Sequence, residues 1–539
     1  MNELMTPSLL WADFDETFDG KIEVVKTEGI FRRLTVTAFS ASDGDVVIET
    51  NVYSPEYERG NVIVLIGDYA KKAQQDVVDA LCGKGFCVVV PDYSGVFDDS
   101  LTSFPESLSY GRYFDGNEHF TKVCPTAKET CFYLYTKIIR KIISAINGVL
   151  PKGDVVIMGL RRGTEIALQT VGTDSRPIGL ALIAGAGYRE YFDYPRYGSD
   201  KVLSVEGDLM QWITSVSGTA YAKRVKVPAI IAIGSNGTES DIDRAPALMS
   251  LMQAETSLCV SAGYRDNIDK KTFDTVIKWL EGIFLLSVPP KKPSLTVNIN
   301  SEGELYGEVK ADDSVKIKEV RVRYSYGDNN HSTRFWRESS GDFIGDGGYI
   351  ARLKAGVGSE MLFAYAETEY VNGYISDGGV VYVDLRDKKI KTSKSVTNPI
   401  VFQHPDENGF VEISDDTVIM KSSLREGVLP IGLKGLCCDK GGMVSYSIGN
   451  KTGFDETRLL QIDTYSSEKT YVLRVSVVDG NNVEYNASKE IESTETFFSL
   501  LLTPNAFKDG NMQPLESWES VKSLTVLTSG VIVGKIMFI

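Results

Sequence analysis

The first half of the chain alternates short apolar runs with amphipathic segments. From Val62 onward the apolar runs do not alternate and are of strand length, which is typical of strands buried on both faces of a parallel sheet. Segments with apolar positions at helical spacing lie between them, and the last of these covers 271–286. The pattern therefore predicts an α/β unit with helices on both faces of a mostly parallel sheet. The predicted strands are 21–27, 31–39, 46–53, 62–66, 86–90, 154–158, 179–183, 229–233 and 257–261.

The pattern changes at a proline-rich segment, 287–294, which contains three prolines in eight residues. Prolines end helices and stiffen a connector, so we predict a domain boundary here. Seven short strands with period-two alternation follow, including 333–338, and they predict an immunoglobulin-like or fibronectin-like sandwich over 295–386. A polar, basic stretch at 386–394 precedes a third, strand-rich block over 398–539.

Composition narrows the classes of function. The 539 residues are 42% hydrophobic and 24% charged, as in ordinary globular proteins, and the length suits about three or four domains. A formal net charge of −16 without a basic stripe argues against nucleic acid as a partner. Apolar runs are too short to span a membrane, and the N-terminus lacks the pattern of a secretory signal. We expect a protein that binds no membrane and resides in the cytoplasm.

The seven cysteines and three histidines form no motif that would indicate a bound cofactor. The cysteines are sparse and include no CxxC pair, which favours a reducing compartment over a disulfide framework. Zinc sites need clustered cysteine and histidine ligands, so we expect no metal.

One segment has the pattern of a catalytic turn. Residues 155–167, Val-Val-Ile-Met-Gly-Leu-Arg-Arg-Gly-Thr-Glu-Ile-Ala, combine an apolar strand, two glycines at G-x-S-x-G spacing and a following helix. This segment, with the strands at 62–68, 85–93 and 229–235, resembles the α/β-hydrolase superfamily, and residues 1–286 resemble bacterial acyl esterases of the dienelactone hydrolase and acetyl xylan esterase type. The resemblance implies a Ser-His-Asp triad and an acyl or glycosyl ester substrate.

The residues at the three triad positions depart from that resemblance. Arg161 occupies the nucleophile position, and Asn267 aligns with the base. Gly237 best matches the acid, and the nearest alternatives are Asn236, Glu239 and Asp241. A guanidinium stays protonated and cannot attack a carbonyl carbon. Asp68 stands in the usual oxyanion loop, where a carboxylate opposes the developing negative charge. We therefore expect that Ser-His-Asp catalysis has been lost.

Two interpretations of Arg161 remain open. At a helix N-terminus a guanidinium suits a carboxylate or phosphate, which predicts a receptor for a small anionic or carbohydrate ligand. Alternatively, Arg161 pairs with an internal acid and closes a vestigial site; the candidate acids are Asp68, Glu129, Glu165 and Asp241. The candidate pocket residues are Asp68, Tyr69, His119, Arg161, Arg162, Asn236, Glu239 and Tyr264.

A working hydrolase is the alternative function. It requires a rearranged nucleophile such as Ser235, Ser240 or Ser261, with His119 as a candidate base. Glu129 follows Thr126 by three residues, a spacing that predicts a helix cap rather than a catalytic acid.

The β-rich half offers aromatic candidates. Phe335 and Trp336 alternate along a predicted strand, so we expect one of them to point outward, as a platform for a sugar, or into a domain interface, which we favour. The segments 473–479, 497–507 and 531–538 resemble the C-terminal half of galactose-binding-like jelly rolls. Domains of that type include both sugar-binding modules and structural spacers, and Trp518 is a candidate for either role.

The sequence thus predicts a multidomain chain, with an α/β-hydrolase fold followed by two all-β sandwich domains. The first hypothesis for the function is that the chain is a non-catalytic binding or scaffold protein. The sequence identifies no protein partner.

Overall fold

The first half of the chain forms one large mixed sheet covered by helices. The computed structural model describes residues 4–55, 60–123, 125–148, 150, 153–192, 194–199, 201–264, 266–326, 329, 331, 334, 336–356, 361–393, 400–402, 410–413, 424–429, 434–438, 441–445, 458–468, 470–492, 497–527 and 530–539. The strands of the first unit are β1 Ile22–Glu28, β2 Phe31–Ala41, β3 Gly44–Tyr53, β4 Val62–Ile66, β5 Cys87–Pro91, β6 Val155–Leu160, β7 Pro177–Ile183, β8 Ala229–Gly234 and β9 Thr256–Ser261. Its helices are α1 Pro7–Leu10, α2 Gln75–Cys82, α3 Cys131–Ile146, α4 Gly163–Val171, α5 Gly207–Ser215, α6 Thr219–Ala222, α7 Ala245–Leu251 and α8 Lys270–Phe284.

The strand order is β1-β2-β3-β5-β4-β6-β7-β8-β9. The first three strands pair antiparallel, as do β3 and β5, whereas β5, β4 and β6 to β9 are parallel. Strands β4, β5, β6 and β8 are buried along their whole length because helices cover both faces of the sheet. This confirms the predicted α/β architecture, and the arrangement is consistent with the α/β-hydrolase fold.

Two apolar clusters fill the two faces of this sheet. Helices α3 and α4 contribute to one cluster, and helices α2 and α8 contribute to the other. The long helix α3 begins at the side chain of Thr130, which accepts from the amide of Tyr133. Just before it, Thr126 and Glu129 form a reciprocal capping box, as the sequence predicts for Glu129. Within the described residues, no helix is long and apolar enough to cross a membrane.

The second unit is a pair of antiparallel sheets. One sheet has the order β10-β11-β15-β14, and the other has the order β13-β12-β17-β18 with β19 also paired to β17. A shared apolar core lies between them. The strands are β10 Ser294–Ile299, β11 Leu305–Lys310, β12 Ile317–Tyr326, β13 Arg337–Ser340, β14 Asp342–Gly345, β15 Gly348–Leu353, β16 Ala355–Gly356, β17 Met361–Tyr370, β18 Ile375–Asp377, β19 Val381–Asp384 and β20 Thr392–Ser393.

The third unit also contains two antiparallel sheets. Their orders are β23-β24-β31-β26-β29, with β21 added to β31, and β22-β25-β30-β27-β28. Trp518 lies in the core of this unit, 1% exposed, and its indole donates to the carbonyl of Arg458 at 2.9 Å, so it is no sugar platform. The strands are β21 Ile400–Phe402, β22 Phe410–Ile413, β23 Leu424–Val428, β24 Lys434–Cys438, β25 Gly442–Ser445, β26 Leu460–Tyr465, β27 Thr470–Val478, β28 Glu484–Glu492, β29 Phe498–Leu502, β30 Ser523–Leu527 and β31 Ile532–Phe538.

The predicted strand at 333–338 overlaps the observed β13 only at Arg337 and Glu338, because Arg334 precedes the strand and contacts the first unit. Its guanidinium donates to both carboxylate oxygens of Asp243, at 2.6 and 2.7 Å, and Arg334 is fully buried. Trp336 lies in the apolar cluster of the first unit, against Tyr365, as one of the two predicted interface aromatics should. Phe335, the other aromatic, lies outside the described residues.

Breaking the Arg334–Asp243 pair should destabilise the protein strongly, because removing one partner leaves a buried charge without compensation. We expect Asp243→Asn to lower the free energy of unfolding by about 3–5 kcal/mol. The double variant Arg334→Met with Asp243→Asn should lose less than Asp243→Asn alone. Urea denaturation followed by tryptophan fluorescence measures both.

The matched control is Asp384→Asn, since Asp384 pairs with Arg386 at the surface. Exposed pairs contribute little, so this variant should leave the denaturation midpoint nearly unchanged. An Asp243→Asn midpoint equal to that of the control would contradict the role assigned to the buried pair.

Candidate functional site

A tight turn joins β6 to α4 and carries Arg161 at its apex. Arg161 has φ +49°, in the left-handed region that non-glycine residues seldom adopt. A Cβ on Gly159 would lie 2.7 Å from the Cα of Thr164, and one on Gly163 would lie 2.3 Å from the carbonyl oxygen of Gly67. Both positions therefore require glycine, because neighbouring backbone atoms leave no room for a Cβ. The turn has the geometry of a nucleophile elbow with arginine in place of serine.

Arg161 bonds to the residue that aligns with the catalytic base. Its Nη2 donates to Oδ1 of Asn267 at 2.9 Å, and both residues are buried. The structure thus brings together two of the three triad-equivalent positions, one from the turn after β6 and one from the loop after β9. The expectation that Arg161 pairs with an internal acid is wrong, because the acceptor is a neutral amide.

Gly237, the residue matched to the third position, is contacted by the second unit. The ring of His331 donates through Nε2 to the carbonyl oxygen of Gly237 at 2.9 Å, and that of Ser240 lies 3.2 Å away. Asn236, the next residue back along this loop, donates to the carbonyl of Arg334 at 2.6 Å. The loop that would carry a catalytic acid is therefore used for contact between the two units.

A cavity of about 660 Å³ lies beside the elbow. A volume of this size suits a small organic ligand. Its walls come from the loops after β4 and β7, the segment before α3, the first turn of α4, and α5. The lining residues are Tyr69, Tyr113, Phe120, Thr121, Phe132, Arg162, Glu165, Arg189, Glu190, Asp208, Leu209 and Trp212.

Two arginines of the cavity share one carboxylate. Nε of Arg162 lies 3.1 Å from Oε1 of Glu239, and Nη2 of Arg189 lies 3.1 Å from Oε2. Burial opposes the charge on Arg162, but Glu239, Tyr69 and Asp68 outweigh it and raise its pKa. The arrangement keeps two cations side by side against one bridging anion.

Two carboxyl groups of the same cavity are poorly solvated. Burial, with a contribution from Glu190, raises the pKa of Glu165 to about 7. Burial also raises the pKa of Glu190, whose carboxylate accepts from the hydroxyl of Ser217 at 3.2 Å. Oε2 of Glu165 accepts from the amide of Gly218 at 2.6 Å. Its Oε1 is buried without a hydrogen-bond partner among the described residues.

Aromatic rings form the apolar side of the cavity. Tyr69 stacks on Phe120 with ring centroids 4.9 Å apart, and Trp212 meets Phe132 edge-on at 5.1 Å. The guanidinium of Arg162 lies 5.6 Å from the Tyr69 ring centroid, and Arg189 donates to the Tyr69 hydroxyl at 3.3 Å. The site therefore offers flat apolar faces, guanidinium donors and carboxyl groups to one ligand.

The candidate pocket residues of the sequence separate into two groups. Tyr69 and Arg162 line the cavity, and Glu239 joins it through the two arginines. The remaining candidates are absent from the cavity wall: Asp68, His119, Arg161, Asn236 and Tyr264. Among these, Asp68 accepts from the amide of Ala70 at 3.0 Å, and Tyr264 accepts through its carbonyl from the amide of Asn236 at 2.8 Å.

The rearranged-nucleophile candidates are buried, and the hydroxyl of Ser240 has no hydrogen-bond partner among the described residues. Ser235, Ser240 and Ser261 are each 0% exposed. Ser235 donates to the side chain of Asn236 at 2.6 Å, and Ser261 donates to Thr272 at 2.8 Å.

The two nearby histidines do not activate these serines. His331 bonds to the backbone oxygen of Ser240 rather than to its hydroxyl. His119 contacts the carbonyl of Glu129 through Nδ1 and stacks on Tyr110 at 4.0 Å. Among the described residues, no serine hydroxyl is hydrogen-bonded to a histidine ring.

Asp241, Asp243 and His331 place three ligating atoms within 4.8 Å of one another. This cluster does not fit a metal ion, because arginines already neutralise it. Asp243 holds Arg334 through both oxygens, and Oδ2 of Asp241 holds Arg244. Burial works against the charge on Asp241, yet His331 and Arg244 keep its pKa below the ordinary value.

Sequence reasoning did not single out Arg189, Glu190 or Trp212. The signal for the first two was available, since Arg189 and Glu190 follow the buried strand β7 by only a few residues. Charged residues at the carboxyl end of a parallel strand lie at the ligand-binding edge of such sheets. Trp212 had no such signal, because α5 is an ordinary amphipathic helix in sequence.

Comparisons with known proteins find similar structures for about half of the chain. An acetyl xylan esterase from Paenibacillus sp. R4 is 14% identical and matches 51% of this chain and 92% of its own, with a TM-score of 0.38. Acetyl xylan esterase 1 from Thermoanaerobacterium sp. JW/SL YS485 is 15% identical, with 49% and 89% covered and a TM-score of 0.37. A carboxyl esterase from Bacillus coagulans is 13% identical, with 48% and 98% covered and a TM-score of 0.32.

No known protein family and no curated protein matches the chain by sequence. The identities and TM-scores of the similar structures are too low to assign an activity to this chain.

The raised pKa of Glu165 predicts a pH-dependent stability difference for Glu165→Gln. The stabilising protonated form is complete below the unfolded-state pKa near 4.5 and is lost as pH rises through about 7. Wild type should therefore lose about 3 kcal/mol relative to Glu165→Gln between pH 5 and pH 8. Calorimetric melting of both proteins at pH 5, 6, 7 and 8 measures the difference.

The control for this series is Glu302→Gln, since Glu302 is exposed on the second unit. Its melting temperature should follow that of wild type at every pH. A Glu165→Gln difference that stays constant from pH 5 to pH 8 would show that Glu165 is ionised throughout.

Proposed function

We propose that this chain is a non-hydrolytic protein of α/β-hydrolase fold that binds a small carboxylate or carbohydrate ligand in the cavity beside the elbow. The observation that carries the proposal is the Arg161–Asn267 hydrogen bond. It occupies the positions where a serine nucleophile and a histidine base would meet. A permanently protonated guanidinium supplies no nucleophile, and an amide supplies no base.

Binding is supported by the cavity that persists next to the disabled turn. Its aromatic faces suit a ring or acyl chain, while Arg162 and Arg189 suit anionic or hydroxyl oxygen atoms. Specific binding sites combine apolar walls with a few polar groups of fixed geometry. The shared carboxylate of Glu239 fixes both guanidinium groups, so their donors are held in place before a ligand arrives.

A cytoplasmic location is part of this proposal. The six described cysteines are thiols: Cys82, Cys87, Cys131, Cys259, Cys437 and Cys438. Thiols in that number are typical of proteins kept in a reducing compartment.

The competing function is a serine hydrolase with a rearranged nucleophile, and a fluorophosphonate probe tests it directly. We expect the intact mass of the folded protein to stay unchanged after exposure, because Ser235, Ser240 and Ser261 are buried and hold no histidine contact through their hydroxyls. A urea-unfolded sample controls for nonspecific labelling. One adduct per chain on the folded protein alone would refute the non-hydrolytic proposal, and peptide mapping would then identify the serine.

Ligand binding is tested by calorimetric titration with acetate, benzoate, glucuronate and glucose. We expect at least one of these probes to bind, and Arg189→Met to weaken that binding about tenfold or more, since a charged hydrogen bond contributes about 1.5–3 kcal/mol. The matched control is Arg352→Met, which removes an exposed arginine of β15 and should leave binding unchanged. Equal binding by both variants, or no binding of any probe to wild type, would contradict the proposed site.

A further inference from the structure

Oε1 of Glu165 is a buried atom of a cavity-wall residue whose hydrogen bond is missing within the described part of the chain, and a ligand atom would complete it. The side chain is 4% exposed, and its other oxygen is already bonded to the amide of Gly218. Oε1 has no hydrogen-bond partner among the described residues, although it belongs to a residue of the cavity wall. Leaving a buried polar atom unsatisfied is costly, so a bound ligand that supplies the missing partner gains that free energy.

The charged groups around Glu165 decide what that partner is. Glu190 and Arg189 face it from the loop after β7, Glu239 from the loop after β8, and Arg162 from its own helix start. Asp208 lies farther out, at the exposed start of α5. With every carboxylate ionised, these groups carry two positive and four negative charges. Two adjacent buried carboxyl groups avoid ionising together, so burial and Glu190 favour a proton on Glu165.

Arg162 supplies the complementary donors. Its Nε is used by Glu239, and no other hydrogen bond to its guanidinium is seen among the described residues. Its two Nη nitrogens therefore remain available to a ligand in the cavity that Glu165 also lines. A planar acceptor pair is the natural partner for a guanidinium edge.

We infer, on the basis of the proposed binding function, that the cavity takes a carboxylate ligand together with a proton held on Glu165. In this arrangement the ligand carboxylate accepts from Arg162 and from the O–H of protonated Glu165. The aromatic side formed by Tyr69, Phe120 and Trp212 contacts the ring or chain that bears the carboxylate. No bond is made or broken, and the proton comes from solvent.

The sign of proton exchange distinguishes this ligand class from a neutral sugar. A carboxylate favours the protonated form of Glu165, so its binding takes up a proton. Sugar hydroxyls donate to the ionised form, so binding of a neutral sugar through Glu165 releases a proton. Because the pKa of Glu165 is about 7, the uptake at pH 7 should approach about half a proton per carboxylate bound.

The experiment is calorimetric titration of the full chain at pH 7 in phosphate and in Tris, which differ in ionisation enthalpy. The probes are acetate, benzoate and glucuronate, with glucuronamide as the neutral match of glucuronate. We expect proton uptake with the carboxylate probe that binds, weaker binding of glucuronamide, and an affinity about tenfold lower at pH 8 than at pH 6.

Two variants locate the proton. Glu165→Gln imitates the protonated carboxyl, so it should bind the carboxylate probe at pH 8 as tightly as wild type does near pH 6, with proton uptake reduced. Glu302→Gln, on the surface of the second unit, should titrate as wild type does.

The outcomes separate this inference from the proposed function. Binding without proton uptake, binding with proton release, or uptake that Glu165→Gln leaves unchanged would overturn the inference while leaving a ligand-binding protein. Absence of binding by every probe in wild type would overturn the binding function itself.

Discussion

The turn between β6 and α4 constrains everything around the site. It holds Arg161 at positive φ, a conformation that costs roughly 1–3 kcal/mol for a residue other than glycine and persists only where surrounding contacts impose it. Here the close approach of Gly159 and Gly163 to neighbouring backbone imposes it. The turn directs Arg161 toward Asn267 and sets the start of α4. The first turn of that helix then carries Arg162 and Glu165 to the cavity wall. A geometry suited to presenting a nucleophile is thereby used to place a guanidinium and a buried carboxyl group side by side.

The second unit closes the opposite side of this region. Arg334 is buried against Asp243, His331 against the carbonyl of Gly237, and Asn236 is bonded to the backbone of Arg334. A Ser-His-Asp triad would take its acid from the loop after β8. The interface instead uses backbone carbonyl groups of this loop as acceptors and the buried carboxylate of Asp243 as an ion-pair partner. The two uses compete for the same residues. These contacts tie the orientation of the loop after β8 to the second unit.

The α/β layout was predictable because strands buried on both faces leave continuous apolar runs, and the glycine spacing around Arg161 marked the elbow. The strand predicted at 333–338 begins later, at Arg337, because Arg334 forms a buried ion pair across the domain interface, and local alternation carries no information about that partner. The partner of Arg161 was missed for a related reason. Charge alone favoured an acid such as Glu165, but chain geometry placed Asn267 within reach and turned Glu165 toward the cavity. Arg189 and Trp212 reach the site from separate loops and helices, so only the fold brings them together.

A buried carboxyl group with an unpaired oxygen is an expensive feature for a structural core. Replacing Glu165 with an apolar residue of similar volume would remove the cost of desolvating it, and buried polar groups of this kind are more often a burden than a source of stability. The surrounding residues increase the cost rather than relieve it, since Glu190 adds a second buried carboxyl group beside the first. Strained and poorly solvated groups of this sort concentrate where a protein meets a ligand. The neighbouring Arg161 bonds to Asn267 through Nη2, while its Nε is buried without a hydrogen-bond partner among the described residues. At this edge of the sheet the cavity wall therefore contains a buried carboxyl oxygen whose hydrogen bond a ligand atom would complete.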